Sequence, residues 1–148
     1  MNWADLETSL AEDPLFRVEQ PDGRKALTEL HRVTMLRKLV RECAPGVSVH
    51  AIPNAGKRGP KAQRQAKAEG MMPGVFDLCF TWSGGCVCWI EMKGYDASGR
   101  AGKLSQAQVD WGNSHYRMGH DVACFFSPEK ALDWLRGCGA PVIGRVAA

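Results

Sequence analysis

The sequence predicts an α/β fold, a mixed central β-sheet flanked by helices, from three observations. Helical and strand-like spacings alternate along the chain in the order α-β-α-β-β-α-β-α. The two adjacent strand-like runs, "VFDLCFTW" and "CVCWIEMK", are separated only by Ser83-Gly84-Gly85, the composition of a hairpin loop. The chain has 148 residues, 45% of them apolar, which is enough to bury one substantial core and matches the usual size of one domain.

Each element has its own justification. Residues 25–43 carry helical spacing, with Ala26, Leu30, Val33, Leu36 and Val40 on one arc of a wheel. Residues 47–52, "VSVHAI", have strand composition, and residues 60–69 form a short basic helix begun by Pro60. Residues 75–82 and 86–93 are the hairpin. Ser105 opens a helix over 105–118, residues 121–126 form a strand, and Pro128 starts a helix over 128–136. A short apolar piece lies near Pro141. Residues 1–24, ending in the turn-prone "EQPDGR", are expected as an N-terminal appendage, with residues 25–148 as the main domain.

Composition excludes several classes. No apolar run reaches the length of a membrane span, and the acidic start "MNWADLETSLAEDP" is unlike a secretory signal, so the expectation is a soluble cytoplasmic protein without membrane contact. The six cysteines are scattered among apolar residues and read as reduced core residues. Cys86 and Cys88 share a strand face, but no CxxC or HxxxH pair elsewhere completes a structural zinc motif. The net charge of +3 is too mild to argue for nucleic acid. Its distribution says more, because "KRGPKAQRQAK" places Lys57, Arg58, Lys61, Arg64 and Lys67 in one stretch without an acid. That stretch is either a solvated surface or a phosphate-contacting helix.

The charges inside the hairpin carry the chemistry. With a three-residue loop, Trp82 faces Cys86, the paired numbers sum to 168, and Asp77 falls opposite Glu91. Directly opposed Cβ atoms are roughly 5 Å apart, so two carboxylates there repel unless something positive lies between them. Lys93 emerges on the same strand face as Glu91. A hard divalent cation with oxygen ligands, flanked by the lysine, reconciles the three charges. E-x-K alone is a commonplace tripeptide; its setting between apolar strand residues is what gives it weight.

Two helices present further groups. Glu29 falls within the apolar arc of the first helix, where it either snorkels outward, pairs with Arg37 on the same arc, or reaches a metal. In the later helix Gln108 sits amid the stripe Leu104, Ala107, Trp111, His115 and Met118, as a core glutamine satisfied by backbone or as a site residue.

The succession "GMMPGVFDL", "CWIEMKG", "GKLSQAQVDW" and "GHDVACFFS" resembles the virus-type replication-repair nuclease domain (VRR-NUC) of the PD-(D/E)xK nuclease superfamily, over about residues 26–136. Asp77 matches the motif aspartate, Glu91 and Lys93 the E-x-K, and Leu104-Ser105-x-x-Gln108 the L-S-x-x-Q helix. Glu29 matches the acidic residue of the first helix, and Phe76 stands where the family often has proline. The resemblance implies a restriction-endonuclease-like core and a metal-dependent DNA endonuclease. Mg²⁺ or Mn²⁺ would be held by Asp77, Glu91, the backbone carbonyl of Met92 and Glu29. Lys93 would stabilise charge or orient water, and Gln108 would direct the lysine or that water. It also implies DNA as partner, with branched junctions cut by a homodimer as the leading substrate, in a bacterial or phage-infected cell. The alternatives are a flap-cutting or nonspecific nuclease, an inactive nucleic-acid-binding module, and a metal-free interaction protein.

Overall fold

In the computed structural model the described residues, 11–53 and 59–144, form a five-stranded mixed sheet with four helices. The strands are β1 (Arg17–Val18), β2 (Ser48–Ala51), β3 (Leu78–Trp82), β4 (Cys86–Met92) and β5 (Asp121–Phe125). The helices are α1 (Glu29–Cys43), α2 (Pro60–Ala68), α3 (Gln106–Arg117) and α4 (Pro128–Gly137). The sheet order is β1-β5-β4-β3-β2. β3 runs antiparallel to both β2 and β4, whereas β5 runs parallel to β4 and to β1. The expected α/β class and mixed sheet are therefore present.

Alternation along β4 divides the molecule into two layers. Cys88, Ile90 and Met92 point to one face, where Leu36 and Val40 of α1, Leu132 and Leu135 of α4, and Phe125 of β5 complete the larger core. Burying each of these large side chains contributes about 1.5–3 kcal/mol. On the other face Phe16, Phe76, Trp111, Val122 and Cys124 form a smaller cluster under α3, with Trp89 at its margin. Phe76 meets Phe16 edge to face at 5.4 Å between ring centroids and Trp111 at 5.0 Å. Phe76 thus anchors the chain immediately before Asp77.

Three expectations need correction. Residues 11–24 do not hang off the domain: Arg17–Val18 pair with Ala123–Cys124 as an edge strand, and Phe16 is buried. Two residues are too few to give a strand signal in sequence. The first helix begins at Glu29, four residues later than its periodicity, because the Thr28 side chain accepts the His31 N–H and caps it. Its buried stripe is Arg32, Leu36 and Val40, while Leu30 is 73% exposed.

Arg32 is in the core because all its donors are used. Its guanidinium donates to both carboxylate oxygens of Asp22, at 2.7 and 3.0 Å, and to the carbonyls of Leu27, Phe126 and Arg24. Burial opposes ionisation of Asp22, but the hydrogen bonds from Arg32 and Arg24 outweigh it and hold the carboxyl well below its usual range. This clamp ties the N-terminal segment to the start of α1, and so to Glu29.

Candidate metal and phosphodiester site

The β3–β4 register follows the hairpin arithmetic: Trp82 pairs with Cys86 and Leu78 with Ile90. One step further, the Asp77 N–H donates to Glu91 Oε2 at 2.9 Å. β3 itself starts only at Leu78, so Asp77 lies at the strand's mouth rather than inside it, half-buried. Glu91, the last residue but one of β4, is 1% exposed.

Glu29 arrives from the other layer. It is the first residue of α1, and the chain there touches the end of β4 so closely that a Cβ on Gly94 would collide with the backbone of Thr28 and Glu29. Only glycine permits this approach. As a result, ligand oxygens of Glu29, Asp77 and Glu91 lie within 4.8 Å of one another. The structure thus brings Glu29, Asp77 and Glu91 together, and Arg37, the alternative partner for Glu29, is exposed.

Lys93 and Gln108 close the arrangement. Lys93 Nζ donates to Glu91 Oε1 at 3.0 Å and to Gln108 Oε1 at 3.1 Å, and Gln108 Nε2 donates to Glu91 Oε1 at 2.7 Å. The glutamine is held by a capping box: the Ser105 hydroxyl accepts the Gln108 N–H, and Gln108 Oε1 accepts the Ser105 N–H. The sequence signal S-x-x-Q at the start of α3 is therefore both a helix cap and the device that aims an amide at the E-x-K pair. Met92 lies between Glu91 and Lys93, with its side chain fully buried in the opposite core.

The electrostatics of the carboxylates are those of a site built for added positive charge. Glu91 has three donors, whereas Asp77 Oδ2 is buried without a hydrogen-bond partner among the described residues. Burial, followed by repulsion from Glu91 and Glu29, pushes the Asp77 carboxyl up to about 8. Burial likewise raises Glu91, against the pull of Lys93. For Lys93 burial works to lower the pKa, but Glu91 outweighs it and the ammonium is held above its ordinary value. An oxygen-only set of three carboxylates with one orphaned oxygen fits a hard divalent cation.

The site opens on a cleft of about 570 Å³ whose lining includes Lys67, Lys93, Lys103, Ser105 and Gln108. Of the basic stretch, Lys61, Arg64 and Lys67 are exposed on α2, and of these three only Lys67 lines the cleft. Lys57 and Arg58 lie outside the described residues. Lys103 also lines the cleft, although nothing in its local sequence singles it out. Gly74 forms another wall, with a φ of 82° and so little room that a Cβ would strike the Ala107 backbone. His115 stacks on Trp111 at 3.9 Å between centroids, with Nδ1 2.8 Å from the Trp111 carbonyl oxygen. Among the described residues no helix is long and apolar enough to cross a membrane. No family model, curated protein or solved structure matches the chain.

Proposed function

We propose that this chain is a Mg²⁺- or Mn²⁺-dependent DNA endonuclease with a restriction-endonuclease-like core. The observation that carries the reading is the convergence of Glu29, Asp77 and Glu91 around a buried Asp77 oxygen that has no hydrogen-bond partner among the described residues, with Lys93 and Gln108 bonded to the same cluster beside a lysine-lined cleft. The metal would be held by Asp77, Glu91 and Glu29, with the Met92 carbonyl as the further oxygen. When bound, it would acidify water and offset negative charge on a phosphodiester.

The chain's own residues supply the rest. Lys93, an ammonium in this environment, places positive charge where the cleft meets the carboxylates and there stabilises a phosphate group. Gln108 fixes the lysine's direction, because its oxygen accepts from Lys93 while its amide is committed to Glu91. Lys67 and Lys103 hold the nucleic-acid backbone along the cleft through sequence-independent contacts. The described residues contain one carboxylate cluster of this kind, and paired cuts in a four-way junction need two, so the substrate reading is branched DNA cut by a homodimer.

The test is purified protein incubated with labelled duplex, single strand, flap and four-way junction, with Mn²⁺, Mg²⁺ or chelator, and its mass measured by light scattering. Metal-dependent cleavage that Asp77→Asn removes supports the assignment. Cleavage unaffected by that variant, or no cleavage of any form, overturns it. A strictly monomeric enzyme preferring flaps replaces the junction reading with the flap-nuclease one.

A further inference from the structure

Cys88, Asp121 and Cys138 meet on the sheet face opposite the carboxylates. Cys88 is fully buried in the middle of β4, and the parallel register places Asp121, the first residue of β5, directly beside it. Cys138, the C-cap of α4, comes down on both. One ligand atom from each of the three lies within 4.8 Å of the others, and Cys88 Sγ is 3.8 Å from Asp121 Oδ2. All six cysteines are free thiols, so no disulfide explains the pairing.

As ordinary packing this set is poorly matched. S–H is a weak donor and sulfur a weak acceptor, so two thiols and a carboxylate gain little from one another. As ligands they are well matched, since thiolates with a carboxylate suit a thiophilic cation in tetrahedral coordination. With metal–sulfur distances of ~2.3 Å, neighbouring ligand atoms of a tetrahedron are ~3.8 Å apart, so the set needs adjustments of about an ångström at most. Access is available as well: Cys138 lines a surface cleft of about 470 Å³ together with Arg17, Lys130, Asp133 and Trp134. Asp121 is exposed, which leaves the remaining coordination position to solvent.

We propose that Cys88, Asp121 and Cys138 form a binding site for one thiophilic divalent cation, Zn²⁺ by ligand chemistry, separate from the hard-cation site. Binding displaces the two thiol protons and joins the C-terminal end of α4 to β4 and β5. The site acts as a structural clamp on the layer that carries α1 and α4. It does not depend on the nuclease reading, because Cys88 and Glu91 point to opposite faces of β4.

The test is a Co²⁺ titration of the full chain under a phosphine reductant, followed by displacement with Zn²⁺. One equivalent of Co²⁺ should give thiolate-to-cobalt charge-transfer absorption, and Zn²⁺ should abolish it and raise the unfolding temperature. Cys138→Ser should lower Co²⁺ affinity by at least ~100-fold and Asp121→Asn by ~10-fold, each in a chain that still unfolds cooperatively. Cys88→Ser alters a fully buried residue, so the two more accessible positions, Cys138 and Asp121, decide the outcome. Glu91→Gln should leave the band unchanged. A missing thiolate band, or one that survives Cys138→Ser and Asp121→Asn but is lost in Cys43→Ser, overturns the proposal.

Discussion

The Asp77 N–H donates to the Glu91 carboxylate at 2.9 Å, so the backbone of one candidate metal ligand holds the side chain of the other. The pair is preorganised, and burial with the mutual repulsion favours a proton on Asp77, which should be visible as pH dependence. Asp77 has a folded pKa of about 8 against an ordinary 3.8, so the metal-free native state binds more protons than the unfolded chain between those values. Stability from this group is fully present below the lower value and is lost as pH rises through about 8. Asp77→Asn should therefore stabilise the metal-free protein by ~1–2 kcal/mol at pH 8.5 and flatten the slope, while cutting DNA cleavage by ~10³-fold or more. Urea unfolding at pH 5.5, 7 and 8.5 checks the first part. A parallel pH profile for the variant would show that Asp77 does not carry the strain.

Divalent cation should reverse that strain. At a Mn²⁺ concentration of about 100 times Kd the native state gains ~2.7 kcal/mol, and the gain should be larger at pH 8 than at pH 6 because protons compete for the same oxygens. Lys93→Met separates the candidate ligands from the proposed catalytic charge: it should lower the cleavage rate severely while Mn²⁺ affinity holds or rises, since the ammonium 3.0 Å from Glu91 opposes a cation. Calorimetric titration measures this. Loss of Mn²⁺ binding in Lys93→Met would make the lysine a structural partner of Glu91 and nothing more.

Ser105 hydrogen-bonds Gln108 rather than any of the three carboxylates, yet it should matter to the proposed reaction. Its hydroxyl and N–H form the capping box that fixes Gln108, and Gln108 fixes Lys93 and Glu91. Ser105→Ala should cost about 1 kcal/mol of stability and lower kcat with little change in Mn²⁺ affinity, whereas Ser105→Asp, which keeps an N-cap acceptor, should restore most of the stability. Equal kcat in wild type and Ser105→Ala would mean that Gln108 holds its position without the cap.

Much of this site was legible because hairpin geometry is nearly arithmetic. A three-residue loop at Ser83–Gly85 fixes the register, and the register alone places Asp77 beside Glu91. Glu29 was harder, since its place depends on the contact between Gly94 and the Thr28–Glu29 backbone, which no periodicity records. Arg32 was illegible for a related reason: an arginine on a helix is read as a solvent-facing residue, and its burial depends on the Asp22 carboxylate and the carbonyls of Arg24, Leu27 and the distant Phe126 all turning toward it. β1 escaped because two residues carry no alternation, although Phe16 beside it is a core residue. Cys138 joins Cys88 from 50 positions away and forms no sequence motif with it.

The Arg32–Asp22 clamp makes its own prediction. Arg32→Ala leaves Asp22 without its bidentate partner and empties a fully buried volume, and should destabilise by ~3–5 kcal/mol. Because the folded pKa of Asp22 is depressed, its contribution is present above about pH 4 and is lost as pH falls through the folded value. Asp22→Asn should therefore lose stability at pH 7 and lose progressively less, relative to wild type, as the buffer is taken toward pH 2. Denaturant midpoints across that range measure it, and a constant difference at every pH would remove the ion pair as the cause.

Salt dependence tests the proposed nucleic-acid face, and the cleft lining narrows which residues to change. Lys67 and Lys103 line the cleft next to Lys93, whereas Lys61 and Arg64 are exposed along α2 without reaching it. If DNA lies in the cleft, each cleft lysine neutralises a phosphate and releases counterions, so its removal lowers the slope of log affinity against log salt by up to ~0.9. Lys67→Ala with Lys103→Ala should then flatten the slope by ~1–2 units and weaken duplex, flap and junction alike, since contacts to phosphate carry no sequence information. Lys61→Ala with Arg64→Ala should do so only if the duplex also runs along α2. Binding is measured with Ca²⁺ in place of Mg²⁺ to keep the DNA intact. A full slope retained in Lys67→Ala/Lys103→Ala but lost in Lys61→Ala/Arg64→Ala would move the DNA path out of the cleft and onto the outer face of α2.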